Sequence, residues 1–383
     1  MIYRVNDSTS ELPCIIFLAS QKERNPVGED TIERMLDSRK EIIKNYLKEF
    51  LFGKKQQLGT VNRWGDDLPE RLYRFCAGGK LLRGSLILLS VDILLSGGER
   101  LHTAVASAYE LIHSSLLIHD DIMDRDETRR GMPSIFYQYK EIAEKGGPKE
   151  QYHTGESLGL CAGDVALFLA FELLTLADTD PARKLKILSL WSRELQGVGI
   201  AQMQDVYFST LKKGVLENDI MTLYRYKTAR YTFSIPFATG AILAGRDEKT
   251  VNDLLILGER YGLIYQLIDD RIGLFGDSVT TGKPVGTDLE EKKKTLLLYY
   301  LGQLASQDQK RKLNDIMKKD RITPEDLEYI REAAVSCGAA GRIEQRLEEL
   351  KKEARAMIAS IPVSEGYKNV LDGLLDYGLK RKS

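Results

Sequence analysis

The stretch Leu111-Ile112-His113-Ser114-Ser115-Leu116-Leu117-Ile118-His119-Asp120-Asp121-Ile122-Met123-Asp124 is largely apolar and ends on three carboxylates. With the residues from about Thr103 onward it predicts a buried helix. Helix geometry puts Asp120 and Asp124 on one face, one turn apart, with Asp121 beside them. Like charges at this spacing cost about 0.2–0.5 kcal/mol on an exposed helix and more when desolvated, so a cation is their natural partner. A hard dication held by one or two carboxylates, with phosphate oxygens completing an octahedron, describes Mg²⁺ better than zinc.

A second apolar run ends the same way, in Tyr265-Gln266-Leu267-Ile268-Asp269-Asp270. Around the two acidic ends lie Lys80 and Arg83 after Gly78-Gly79, Arg129-Arg130, Lys227, Lys283, and Lys292-Lys293-Lys294. Acidic and basic groups at this density suggest a metal-bridged diphosphate whose remaining oxygens face lysine and arginine.

Farther out, the pattern is helical almost throughout. Ile32, Met35, Ile42, Ile43, Tyr46, Leu47 and Phe50 recur at threes and fours from Thr31. A polar break at Gly53–Asp67 leads to a helix from Leu68, and the run Leu81–Leu95, apolar on nearly every side, predicts a central helix. A charged loop is expected from Arg125 to His153. Helices follow at about Ser157–Leu176, Pro181–Phe208, Glu217–Ala244, Lys249–Phe275, Lys294–Leu304, Gln307–Lys318, Pro324–Val335 and Ala339–Ser360. The chain therefore reads as all-α, one domain over residues 31–383 behind an extension at 1–30.

The 383 residues carry 55 Lys+Arg against 56 Asp+Glu, so no global field favours nucleic acid or an anionic membrane. Cys14, Cys76, Cys161 and Cys337 form no CxxC pair, which argues against a zinc site or disulfide framework and fits a reducing, cytoplasmic setting. The apolar run Leu12–Ala19 is far shorter than the roughly 20 residues that span a bilayer, and no integral membrane segment is expected.

In their order these motifs resemble the trans-isoprenyl diphosphate synthases, or polyprenyl synthetases. The resemblance runs from about Thr31 to the C terminus. It rests on Gly78-Gly79-Lys80-Leu81-Leu82-Arg83, Glu110–His113, Asp120–Asp124 with Arg129-Arg130-Gly131, and Ala162-Gly163-Asp164. It continues through Gln202–Asp205, Lys227–Thr232, Gln266–Asp270, and Gly276-Asp277 with Gly282-Lys283-Pro284. It implies an orthogonal helical bundle around a deep central cavity, usually a homodimer, that condenses isopentenyl diphosphate head-to-tail with an allylic diphosphate. Three Mg²⁺ ions would be held by Asp120, Asp121, Asp124, Asp269 and Asp270. Arg129, Lys227, Lys283 and Lys293 would contact the allylic diphosphate, and Lys80, Arg83, His113 and Arg130 the isopentenyl diphosphate. Thr228 and Gln266 would face the developing allylic cation.

Three positions depart from the family pattern. Gly273 stands where a third aspartate is common, Gly84 where proline is usual, and Lys292 where glycine is common. The residues expected to floor the cavity, Ser115 and Leu116, are not aromatic, which implies a product of geranylgeranyl size or longer. A class I terpene cyclase is the nearest rival. Its second metal motif would begin at Asn218-Asp219 and fails at Tyr226, where glutamate is required. A subunit of a heteromeric synthase is a further alternative, although such subunits generally lack intact aspartate motifs.

Overall fold

The computed structural model describes residues 28–95, 102–143, 147–211, 214–276, 286–290, 293–319 and 321–379. Helices α1 (Glu29–Gly59), α2 (Arg63–Ala77), α3 (Leu82–Leu95) and α4 (Thr103–Asp124) come first. A two-residue hairpin follows, β1 (Thr128–Arg129) against β2 (Met132–Pro133), then α5 (Ile135–Ile142), α6 (Pro148–Leu176), α7 (Pro181–Thr210) and α8 (Glu217–Leu223). A π-helical segment, Tyr224–Ser234, runs without a break into α9 (Ile235–Leu243). The chain then forms α10 (Glu248–Phe275), α11 (Thr287–Glu290), α12 (Leu296–Leu304), α13 (Gln307–Ile316), α14 (Pro324–Ser336), α15 (Ala339–Ser360) and α16 (Glu365–Leu379).

Two large apolar clusters meet in the middle. Helix α3 serves both, with Leu86, Leu89 and Ile93 in one and Ile87, Leu88 and Val91 in the other. The π segment and α9 do the same, dividing Phe233 and Phe237 from Tyr231, Ile235 and Ala238. A helix apolar all round must be central, and α3 is. Its contact with α9 is close: a Cβ on Gly240 would come within 2.3 Å of the Ser90 Cβ.

Four sequence expectations are corrected. The segment 125–153 is not a loop: it holds the hairpin, α5 and the first turns of α6, which starts with Pro148 in its first turn. Gly155 and Gly159 let α6 pack closely, since a Cβ on either would come within 3 Å of α5 atoms. The polar break expected at Gly53–Asp67 shrinks to residues 60–62, because Asn62 caps α2 by accepting from the Trp64 amide at 2.9 Å. Helix α16 was not anticipated, and the expected helix Glu217–Ala244 forms as an α–π–α run.

The π segment has a local cause and an anchorage. Pro236 lacks an N–H and its ring crowds the carbonyl four residues back, at Thr232, which favours a widened turn there. Arg230 then ties the segment to both neighbours. It donates to Glu194 on α7 at 2.7 and 2.9 Å and to Glu259 on α10 at 3.1 Å. On the α10 side Gly262 lets the helices touch, since a Cβ there would lie 2.2 Å from the Ala229 Cα.

Helix α6 has the length and apolarity of a membrane span by composition alone. One face is buried through Gly155, Gly159, Ala162, Gly163 and Ala166. Its other side leaves Leu160, Phe168 and Leu176 exposed, and α7 adds Leu185, Ile200 and Met203.

Burial pushes the Glu194 carboxyl up, but the paired hydrogen bonds and charge of Arg230, with Arg193, outweigh it and hold it below the usual carboxylate value. A depressed carboxyl stabilises the fold above its unfolded value of 4.5 and loses that contribution as pH falls through its folded value. Glu194→Gln is therefore expected to cost about 3 kcal/mol at pH 7. The gap from wild type should narrow as denaturant midpoints are measured at pH 5, 4 and 3.

Candidate active site

Three elements bring their side chains to the acidic end of α4. Gln202 on α7 donates to Asp120 Oδ1 at 2.7 Å. Lys227 of the π segment bonds Asp205 of α7 and lies 3.9 Å from Asp120 Oδ1. The three carboxylates of the motif are not equivalent. Asp124 is exposed, Asp120 partly so, and Asp121 is wholly buried, with Arg129 donating to its Oδ1 from Nε at 2.5 Å. Arg129 also bonds Asp126 at 3.0 Å, so its charge is locally offset.

The acids are held under electrostatic load. Burial, opposed by Arg129, pushes the Asp121 carboxyl up to about 7. Burial and then the neighbouring Asp120 push Asp124 up to about 6, against Lys227 and Lys293. That opposition places Lys293, from the strand of chain before α12, within electrostatic reach of the first acidic tip. Among the described residues no three His, Cys, Asp or Glu side chains form a preformed metal cage. Asp120 and Asp124, open and one turn apart, instead suit a cation that takes its remaining ligands from phosphate and water, which is the habit of Mg²⁺.

The second acidic tip is tied to the same π segment. The Tyr224 hydroxyl bonds Asp270 Oδ2 and accepts from the Leu296 amide at 2.9 Å. Gln266 donates to Asp270 Oδ1 at 2.9 Å. A carboxylate only accepts, so the Gln266 amide nitrogen faces it and the carbonyl oxygen is the end left over. Asp270 is buried while Asp269, on the next face, is exposed. At Gly273, where the family often has an aspartate, the backbone carbonyl accepts from Gly286 at 3.2 Å.

The basic residues separate into groups. Lys80 is exposed at a corner where Leu81 adopts φ +46°, a left-handed conformation that costs a leucine about 1 kcal/mol. Arg130 and Gly131, both at positive φ, form the hairpin turn and send the Arg130 guanidinium back to the Phe75 carbonyl at 2.9 Å. Gly79 makes room, because a Cβ there would lie 2.5 Å from Arg130 Nη1. Arg83 bonds His113 Nε2 at 3.0 Å and Thr232 Oγ1 at 2.8 Å. His113, expected to hold a diphosphate directly, has its other nitrogen on the Tyr231 hydroxyl at 2.8 Å, so both ring nitrogens are taken. Thr228 is half-buried on the π segment. Lys283 lies outside the described residues.

Several participants were missed in the sequence. Gln202 and Asp205 lie in a quoted motif without a role, and Tyr231 and Thr232 read as ordinary packing. Tyr224 was not singled out either.

The polyprenyl synthetase family model matches residues 68–334. The chain belongs to that family. It is a prenyltransferase of isoprenoid biosynthesis. The geranylgeranyl diphosphate synthase of Methanosarcina mazei is 31% identical over 71% of this chain and 78% of its own length. The geranylfarnesyl diphosphate synthase of Aeropyrum pernix is 30% identical over 82% and 95%. Among solved structures, geranylgeranyl pyrophosphate synthase from Corynebacterium glutamicum, complexed with isoprenyl diphosphate and magnesium, superposes with a TM-score of 0.81 at 28% identity. That match covers 90% of this chain and 99% of the other. The fold is the all-α isoprenoid synthase fold. Divalent-metal use agrees with the family and with the donor set at Asp120 and Asp124.

Gly79→Ala should displace the Arg130 guanidinium while leaving α2 and α3 intact. Calorimetric titration with inorganic diphosphate is expected to show about tenfold weaker binding, the loss of one charge-assisted hydrogen bond, with an unchanged circular dichroism spectrum.

Proposed function

We propose that the protein condenses isopentenyl diphosphate head-to-tail with an allylic diphosphate and releases a product of geranylgeranyl size or longer. The observation that carries this reading is the attachment of both acidic tips to one π-helical turn, the first through Lys227 and the second through Tyr224. Asp120 and Asp124 from one side and Asp269 from the other would hold Mg²⁺. Asp121 and Asp270 are better suited to anchor Arg129 and Tyr224. Bound magnesium would supply neutralisation of the negative charge that grows on the departing diphosphate.

The chain's own residues do the rest. Lys227 and Lys293, with Lys283 by family resemblance, place positive charge along the leaving group, and Arg129 stands behind them. The Gln266 carbonyl oxygen and the Thr228 hydroxyl present neutral dipoles that stabilise an allylic cation without capturing it. Lys80, Arg83 and Arg130 anchor isopentenyl diphosphate so that its double bond attacks that cation. Loss of a proton from the adduct, taken up by the released diphosphate, restores an allylic product.

A homodimer fits the exposed apolar surface that α6 and α7 share. Leu160, Phe168 and Ile200 in water would leave a patch of the kind that marks an association site. A cytoplasmic setting fits the free thiols of Cys76, Cys161 and Cys337.

Product length should be set partly on α4. Leu116, one turn before Asp120, is half-buried, whereas Ser115 is fully buried. Mass analysis of products from isopentenyl diphosphate, Mg²⁺ and a series of primers is expected to show chains of C20 or longer; a C15 end product would refute this reading. Leu116→Phe should shorten the product. Ser115→Phe should also do so, at an added stability cost of about 1–3 kcal/mol for overpacking. For the dimer, Phe168→Glu is expected to halve the mass measured by sedimentation.

A further inference from the structure

The two sets of arginines at this site are held in opposite ways. Arg129 is held by carboxylates, Asp121 and Asp126. Arg83 and Arg130 are held by neutral acceptors: the His113 ring, the Thr232 hydroxyl and the Phe75 carbonyl. A guanidinium bonded to a carboxylate has spent much of its attraction for a further anion. One aimed by neutral groups is fixed in direction and keeps its charge.

The hydrogen-bond directions around His113 follow from this. Arginine only donates, so His113 Nε2 must accept and carries no proton. The remaining ring proton is then on Nδ1 and is donated to the Tyr231 hydroxyl at 2.8 Å. The ring is neutral. Burial first, then the charges of Arg83, Arg130 and Arg129, independently hold its proton affinity well below the usual histidine value. Tyr231 is itself fixed: its backbone carbonyl accepts from the Tyr109 hydroxyl at 2.8 Å, and its ring lies under Arg83, 4.4 Å from the guanidinium carbon to the ring centroid.

We propose that Tyr231 and Thr232 are positioning residues for isopentenyl diphosphate. Arg83 fixes His113 as the neutral Nδ1–H tautomer, Tyr231 holds the ring in place by accepting from Nδ1, and His113 and Thr232 together aim the Arg83 guanidinium, which no carboxylate bonds, at the diphosphate. His113 then serves as a strut for the arginine rather than as a second cation. The inference rests on the reading that Arg83 binds isopentenyl diphosphate, and the test separates the two.

Tyr231→Phe keeps the ring under Arg83 and removes only the acceptor for His113. It is expected to raise KM for isopentenyl diphosphate about five- to tenfold, the worth of one hydrogen bond. KM for the allylic substrate and kcat should stay within about twofold. Thr232→Val should act in the same direction, and Thr232→Ser should restore the wild-type value. The protein has 4 histidines, so ¹⁵N-histidine NMR can resolve them. Wild-type His113 is expected to show a protonated Nδ1 and a bare Nε2, and Tyr231→Phe to keep that tautomer while shifting the Nδ1 resonance as its acceptor is lost. A wild-type Nε2–H tautomer, or unchanged KM for isopentenyl diphosphate in both Tyr231→Phe and Thr232→Val, would overturn the proposal. Failure of the wild type to consume isopentenyl diphosphate would instead refute the condensation reading, and the NMR result would still decide the tautomer.

Discussion

Everything at this site depends on one turn of widened helix. Tyr224 bonds Asp270 at the end of α10, and three residues later Lys227 reaches Asp205 and Asp120 at the end of α4. Two acidic helix ends far apart in sequence are thereby held to one short piece of backbone. Left alone they would repel each other and gain by turning toward water. The restraint must be rigid, and the paired bonds from Arg230 to Glu194, with a further one to Glu259, provide that rigidity where Gly262 lets α10 touch the segment's backbone. A π-helix is seldom stable for its own sake. Here its poorer internal hydrogen bonding is offset by bonds to both neighbours.

The same logic sorts charge across the site. On one side stand the carboxylates of Asp120 and Asp124, and the nearby Arg129 is balanced by acids. On the other, Arg83 and Arg130 are steered by an imidazole, a hydroxyl and a peptide carbonyl. In the reading proposed above, this sorting would let one polyanion be met through metal and another directly by arginine. Such sorting has to be built into the fold, because carboxylates and guanidinium groups free to choose would pair among themselves.

The sequence made the long elements legible because their apolar periodicity is strong. Thr103–Asp124 and Ala339–Ser360 were expected at their observed boundaries, and α3 was recognised as central from its lack of a polar face. What failed had weak or misleading local signals. Helix α5 has eight residues and buries only Ile135, Phe136 and Tyr139. At the site, residue types identified which side chains gather but not what each one does. Three neighbouring aspartates look alike in sequence, and only the structure distinguishes the buried Asp121, bonded to Arg129, from the partly exposed Asp120 and the exposed Asp124. For His113 only the family resemblance suggested a ligand role, and nothing in the sequence reveals that both of its nitrogens are engaged.

The departure at Gly84 shows how such a site tolerates change. Proline there would fix φ but remove an N–H, and this chain uses that N–H: Gly84 donates to Glu110 Oε1 at 2.7 Å. The start of a helix has amide donors with no partner in its own turn, so Glu110 of α4 caps α3 from outside. A Cβ on Gly84 would come within 3 Å of Ile43 and the Ala106 carbonyl, so the glycine and the capping carboxylate belong to one arrangement. Glu110 and His113 are three residues apart on one face of α4. The first grips the backbone of the first turn of α3, and the second grips the guanidinium of Arg83 in that turn. One helix face thus fixes a neighbouring helix end at two points and continues, two turns on, into Asp120 and Asp124. Helix α4 is legible as a rail whose edge of Glu110, His113, Asp120 and Asp124 sets the spacing between the arginine end and the acidic end of the site.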